Sequence, residues 1–318
     1  MSDQLIDVII SKREDQADAV AVFELTAKDG ADLPAFEAGA HIDVHVTPDI
    51  VRQYSLSNDP ASTGQYRLGI LQDPQSRGGS DAIHANFQAG TELQVSAPRN
   101  HFPLNLDAER TVLIGGGIGI TPMLTMAYTL QTAGKEFELH YCCRTRGSAG
   151  FLDELAAQFG DRVQLHFDDA GDDQRFNPEQ VLAPAVDGSH MYVCGPSGFM
   201  DWVIGTAESV GYAKDNIHFE YFNVDVDTSG ASFEVVAEQS GVSVTVGENQ
   251  TIVDALAEAG IKVDVSCEQG VCGTCLCDVL EGTPEHKDKF LTEEEREDND
   301  QIVLCCSRAK TDKLVLDI

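Results

Sequence analysis

Ser266-Cys267-Glu268-Gln269-Gly270-Val271-Cys272-Gly273-Thr274-Cys275 is followed 30 positions on by Cys305, so four thiols stand at the spacing C-x4-C-x2-C…C. That spacing wraps a plant-type 2Fe-2S cluster, three thiolates on one tight loop and a fourth closing the cage. Gly270 and Gly273 let backbone amides turn toward bridging sulfides with no Cβ in the way. The stretch therefore predicts a domain that passes electrons singly. Two alternatives stand beside this reading. Inert buried thiols would not need both spacings and the glycines between them, and a zinc site usually pairs two C-x2-C knuckles, or Cys with His, where this chain has one C-x2-C and no His pair nearby. Cys277 and Cys306 fall beside the set and read as small packing residues on strand-like stretches, which leaves Cys267, Cys272, Cys275 and Cys305 as the metal ligands.

Working back from the cysteine loop, a helix is expected over Ile252 to Ala259, with two strand candidates before it and the polar run Asp225-Val226-Asp227-Thr228-Ser229-Gly230-Ala231-Ser232 as a linker. Before the linker the texture is strand, helix, strand: Thr111-Val112-Leu113-Ile114, then Pro122 to Ala133, then Phe137-Glu138-Leu139-His140-Tyr141. That alternation points to a doubly wound parallel sheet. Residues 1–103 instead carry short alternating stretches such as His41-Ile42-Asp43-Val44-His45-Val46 and Tyr66-Arg67-Leu68-Gly69-Ile70-Leu71, broken at Asn58-Asp59-Pro60 and at Gly78-Gly79-Ser80. They predict an antiparallel barrel. With 318 residues the chain exceeds one small core, and three domains are expected, over 1–103, 104–225 and 226–318.

Ile114-Gly115-Gly116-Gly117-Ile118-Gly119-Ile120-Thr121-Pro122 joins a buried strand to a helix, where glycines admit a pyrophosphate to the backbone and the helix N-terminus supplies amide donors. Ile120 breaks the G-x-G-x-x-G fingerprint, so the motif alone is also consistent with an ordinary tight turn. Tyr192-Val193-Cys194-Gly195-Pro196-Ser197-Gly198 strengthens the ligand reading, because a second glycine turn at the carboxyl edge of one parallel sheet makes a dinucleotide cleft. In the first domain Arg52-Gln53-Tyr54-Ser55 offers a cation, a stacking ring and a hydroxyl, and Arg77-Gly78-Gly79-Ser80 suits a terminal phosphate. Either would be weak alone, since an Arg on a strand is more often a solvated residue.

Taken in order, these signatures resemble the phthalate dioxygenase reductase family, which includes the vanillate demethylase reductases, and the resemblance covers nearly the whole chain. It implies a flavin-binding barrel, a nicotinamide-binding α/β domain and a C-terminal β-grasp ferredoxin domain. It further implies that electrons pass from NADH through FMN and a 2Fe-2S cluster to a Rieske-type oxygenase, with a ferredoxin, a diiron oxygenase or a cytochrome P450 as alternative acceptors. By resemblance Arg52, Gln53, Tyr54 and Ser55 meet the flavin together with Ile70, Leu71 and Gln72, while Arg77, Gly78, Gly79 and Ser80 surround its phosphate. Phe222 packs by the isoalloxazine. Gly115, Gly116, Gly117, Gly119, Arg144, Gly195 and Pro196 bind the nicotinamide cofactor, and Thr121 and Cys194 flank the reacting rings. The chain departs from the family at Cys305-Cys306, where relatives often have one Cys and an aliphatic residue. A short first domain with no segment to clasp an adenosine favours FMN over FAD. Arg144-Thr145-Arg146 is compatible with NADH, although paired arginines also accept a 2′-phosphate.

The chain carries 53 acids against 21 bases, a net charge of −32, with 20 acids and 7 bases after residue 225. Such a surface repels nucleic acid and anionic membrane and suits solubility or a saline cytoplasm. Glu293-Glu294-Glu295-Arg296-Glu297-Asp298 reads as the exposed face of a short helix capped at Thr292 or as a patch for a basic partner. Nine Cys, the opening Met1-Ser2-Asp3-Gln4 and the lack of a long apolar run predict a reduced cytoplasmic protein.

Overall fold

The computed structural model describes residues 5–171, 174–183, 185–222 and 227–318. Met1 to Gln4, and Asp225-Val226 at the expected linker and domain border, lie outside them. The chain packs as two compact units, Met1–Phe222 and Asn223–Ile318.

In the first unit, alternating apolar and polar residues build β1 (Ile6–Ala17), β2 (Val20–Ala27), β3 (His41–Thr47), β4 (Ile50–Ser55), β5 (Tyr66–Leu71) and β6 (Glu92–Val95). They lie in the order β4-β3-β6-β1-β2-β5, all antiparallel, and a bridge from Leu56 to Leu68 joins the two ends into a barrel. Val8, Ile10, Phe23, Ile42, Leu68 and Ile70 fill it. The Gly78-Gly79-Ser80 break is more than a turn: it starts helix α1 (Gly79–Asn86), which drops Ile83 into the barrel core. Sequence pattern hides this helix because it opens on glycine, with Gly78 at φ 89° and no side-chain cap.

The rest of the unit alternates β7 (Arg110–Gly116), α2 (Ile120–Thr132), β8 (Phe137–Cys143), α3 (Leu152–Phe159), β9 (Val163–Phe167), α4 (Pro178–Leu182), β10 (Ser189–Gly195), α5 (Ser197–Ser209) and β11 (Ile217–Tyr221). The sheet order β11-β10-β7-β8-β9 is parallel throughout. Winding starts at β7, runs outward through β8 and β9, then returns to β10, so the strand order reverses between β7 and β10. That reversal opens a crevice at the strands' carboxyl ends, where ligands of doubly wound sheets bind. Barrel and sheet are fastened together by polar and packing contacts. Arg67 grips Glu154 with two bonds of 2.8 Å beneath the Phe151 ring, and the Gly39 amide donates to Thr125 Oγ1 at 3.0 Å. Gly69 of β5 must be glycine, since a Cβ there would meet Phe151 at 2.7 Å and the Thr121 methyl at 2.9 Å.

The second unit contains β12 (Phe233–Ala237), β13 (Val242–Val246), α6 (Ile252–Glu258), β14 (Leu276–Glu281), β15 (Pro284–Glu285), α7 (Glu293–Asp298), β16 (Gln301–Val303), β17 (Arg308–Ala309) and β18 (Lys313–Leu316). Its main sheet runs β13-β12-β18-β14-β16, and α6 lays Ile252, Ala255 and Leu256 into the core in a β-grasp arrangement. Helix α7 is the expected acidic one, with Thr292 and Glu295 forming a capping box.

Residues 227–231 are not a free tether. Arg308, 1 % exposed, donates to the carbonyls of Thr228 (2.6 Å), Ala231 (3.0 Å), Gly247 (2.9 Å) and Gln250 (2.9 Å), and Lys287 Nζ reaches Asp227 O and Ser229 O at 2.9 and 2.7 Å. Polar composition suggested a linker because main-chain capture by a distant guanidinium leaves no local pattern. Replacing Arg308 by Met should strip four part-buried carbonyls of their donor, at about 1 kcal/mol each. The expected result is a destabilisation of about 3 kcal/mol or more, read as an earlier urea midpoint for this unit. An unchanged midpoint would mean that water replaces the guanidinium.

Candidate functional site

Four thiols gather on the irregular segment before β14 and the turn after β16. Cys267, Cys272, Cys275 and Cys305 are between 3 and 7 % exposed. Cys267 neighbours Cys272, and Cys305 neighbours both Cys275 and Cys306. Two thiolates for each of two irons is the donor set a 2Fe-2S cluster needs. The loop is built by residues that leave no alternative backbone. Gly270 and Gly273 sit at φ 70° and 71°, and a Cβ on them would strike the Cys306 sulfur and the Phe290 ring, respectively. Glu268 adopts φ 53°, a strained conformation for a side-chain-bearing residue of the kind that collects at functional sites. The Cys306 thiol lies 3.8 Å from both Val303 O and Ser307 Oγ and also neighbours Cys305, which alone of the two reaches across to Cys275. Cys277 projects from β14, 3.4 Å from Asp278 O. Among the described residues no three His, Cys, Asp or Glu side chains converge on one ion.

In the barrel, Arg52 and α1 form a second constellation. The Arg52 side chain lies across Gly79, where a Cβ would come within 2.7 Å of its Cγ, and its guanidinium donates to Val51 O (2.8 Å) and Arg77 O (3.3 Å). A cation thus stands over a glycine-opened helix N-terminus, whose first-turn amides have no intrahelical acceptor, a combination that fits a phosphate. Ser80 Oγ accepts from the Asp73 amide at 3.1 Å, and Gln53 donates to Asp43 at 3.3 Å. Burial pushes the Tyr54 phenol well above its ordinary value, so its ring stays neutral. Ile70 points into the barrel core, and Leu71 and Gln72 close that strand, Gln72 bonding Asp81 at 3.1 Å.

At the carboxyl edge of the parallel sheet the glycines do something the sequence reading did not foresee. Gly115, Gly116, Gly119 and Gly195 face the protein itself: a Cβ on Gly119 would collide with the Cys194 carbonyl, and Gly116 abuts the Phe199 ring at 2.9 Å. Gly117, at φ 55° with nothing within 4 Å, is the one that borders open space. The glycines therefore press the β7–α2 turn onto the end of β10 and hold the crevice floor flat, with Pro196 following exposed at its rim. Thr121 is buried and donates to Ile118 O at 3.0 Å. Arg144 is exposed beside the acidic pair Asp168-Asp169, whose amides donate to the carbonyls of Cys143 and Arg144. Phe222 packs half-buried against the core.

Cys194 and Ser55 are brought together by a residue to which sequence reasoning assigned no role. Glu220 on β11 stands opposite Cys194 in register, accepts from Ser55 Oγ at 3.4 Å and lies 3.7 Å from His41 Nδ1. Burial first, and the Glu220 carboxylate second, push the Cys194 thiol well above its usual range, so it is protonated at neutral pH. The available signal was positional: a carboxylate on the strand paired with the Cys194 strand.

Residues 235–310 match the family described as the 2Fe-2S iron-sulfur cluster binding domain. Over its whole length the chain is similar to a vanillate O-demethylase oxidoreductase of Pseudomonas sp. strain HR199, 47 % identical over 99 % of this chain and 100 % of that one. Among solved structures it is similar to phthalate dioxygenase reductase, described as a modular structure for electron transfer from pyridine nucleotides to 2Fe-2S (TM-score 0.77, 35 % identity, 99 % of this chain and 98 % of that one). It also matches an intact type IV self-sufficient cytochrome P450 monooxygenase, at TM-score 0.86 and 37 % identity, covering 99 % of this chain but 41 % of that longer one. Among the described residues no helix is long and apolar enough to cross a membrane. The fold, the thiol cage and these full-length likenesses agree that the chain belongs to the family of phthalate dioxygenase reductases and vanillate O-demethylase oxidoreductases.

Proposed function

We propose that the protein is the NADH-dependent reductase component of a Rieske-type oxygenase system, working in the cytoplasm. The observation that carries this reading is the presence in one chain of four buried, neighbouring thiols at the 2Fe-2S spacing and a barrel hydroxyl, Ser55, joined through Glu220 to Cys194 at the dinucleotide crevice. A flavin there would accept a hydride as an electron pair and release single electrons, which nicotinamide cannot do and a 2Fe-2S cluster requires.

In this reading Arg52, with Arg77, Gly78, Gly79 and Ser80, holds the FMN phosphate at α1; Tyr54 and Ser55, with Gln53, Ile70, Leu71, Gln72 and Phe222, shape the ring site. Gly115 to Gly119, Gly195, Pro196 and Arg144 receive NADH, and Thr121 and Cys194 flank the nicotinamide as neutral groups that orient it without ionising. Asp168 and Asp169 beside Arg144 support NADH over NADPH, because a 2′-phosphate would meet two carboxylates. Cys267, Cys272, Cys275 and Cys305 hold the cluster. Three domains, 1–103, 104–225 and 226–318, divide the labour. The likeness to a self-sufficient cytochrome P450 favours one second reading, the same electron path feeding a P450.

Purified protein should release FMN and not FAD on denaturation, identified by mass spectrometry. Arg52→Ala should weaken FMN retention by at least about tenfold, since charge-assisted bonds to phosphate contribute about 1.5–3 kcal/mol. Recovery of FAD, or of no flavin, would contradict the barrel assignment.

A further inference from the structure

We propose that His41 and His101 form the proton outlet of the reaction, carrying to solvent the one proton that each NADH leaves behind. The inference rests on the proposed function. NADH loses a hydride from its C4–H bond and becomes NAD+. When both electrons have gone singly to two acceptor equivalents, the hydrogen remains as H+, so one proton must leave a site whose Ser55, Thr121 and Cys194 side chains are buried.

The structure offers a path. Ser55 Oγ touches Glu220 Oε2 at 3.4 Å, and Glu220 Oε1 lies 3.7 Å from His41 Nδ1. His41 is 2 % exposed, with its Nδ1 turned toward the Glu220 carboxylate. Its ring centroid lies 5.4 Å from that of His101, tilted by 31°, and His101 is exposed. The order Glu220, His41, His101, water is thus a chain from a half-buried carboxylate to solvent. The charged and titratable groups around it are Glu220 and Cys194 from β11 and β10, Asp43 two places along β3, and Arg99 and His101 from the segment after β6; Arg99 is held by Asp43 at 2.6 Å. Burial, then His41 and Arg99, lower the affinity of His101 for a proton, so it discharges readily to water. Both histidines act through Glu220, not on the flavin directly.

The test uses the holoprotein and its His41→Asn and His101→Gln variants; His101 is exposed, so the second keeps the fold even if the first does not. Hydride arrival needs no outlet, so anaerobic flavin reduction by NADH should stay within about twofold of wild type. Proton release seen by a pH indicator, and reoxidation by ferricyanide, should slow by on the order of tenfold in His41→Asn, less in His101→Gln, with a larger solvent isotope effect. Independently of turnover, the NMR titration of His101 should move to higher pH in flavin-free His41→Asn, because the unfavourable interaction with the His41 ring is removed. Unchanged proton release and isotope effect in both variants, with flavin reduction intact, would overturn the outlet alone. A protein that binds no flavin would sink the functional reading and the outlet together.

Discussion

Cys305→Ser should lose the visible spectrum of the cluster and all electron delivery that depends on it, while NADH-to-ferricyanide activity persists. Cys306→Ser should keep both. The two thiols are chain neighbours in contact, but only Cys305 also reaches Cys275; the other contacts of Cys306 are with Val303, Ser307 and the Gly270 backbone. A serine at 305 removes one of two ligands from an iron, and serine oxygen is a poor substitute for thiolate sulfur. A serine at 306 costs the packing of one buried sulfur, about 1 kcal/mol. Cys272→Ser should behave as Cys305→Ser does. Iron analysis with absorption spectra decides the matter, and the reverse pattern would move the fourth ligand to Cys306.

Gly119→Ala should be the most damaging single methyl in the first unit. Its Cβ would overlap the Cys194 carbonyl, a backbone atom of a central strand that cannot step aside. Prying the β7–α2 turn from β10 should cost about 4 kcal/mol, at the severe end for overpacking, and lower the melting temperature by on the order of 10 °C. NADH-driven activity should fall with it. Gly117→Ala makes the contrast. That methyl meets nothing within 4 Å, so its cost is the left-handed conformation, about 1 kcal/mol, and its effect should fall on NADH affinity more than on melting. Equal melting temperatures for the two variants would refute the packing role assigned to Gly119.

The contrast also marks what the sequence could convey. Strand and helix periodicities located β5 to the residue and β7, β8, α2, α6 and α7 to within about two residues of their ends. Cysteine spacing pointed to four thiols that the fold makes buried neighbours, because metal ligation fixes both residue type and loop length. Periodicity says nothing about what a glycine faces. Gly115, Gly116 and Gly119 turned toward the protein, and only the fold distinguishes them from Gly117. Glu220 was equally hidden, since its partners Ser55 and His41 are 165 and 179 positions away in sequence and meet it through barrel-to-sheet packing. Residues 227–231 looked like a linker because their anchor, Arg308, comes from the far end of the domain.

An anaerobic titration of the purified protein with NADH, followed by absorption and EPR, tests the central claim most directly. A flavin that takes two electrons and a cluster that takes one predict about three reducing equivalents per chain, or about 1.5 NADH, with an EPR signal from the reduced cluster. An endpoint at about two equivalents with no cluster signal, or a cluster that dithionite reduces but NADH does not, would contradict an electron path from nicotinamide through flavin to iron.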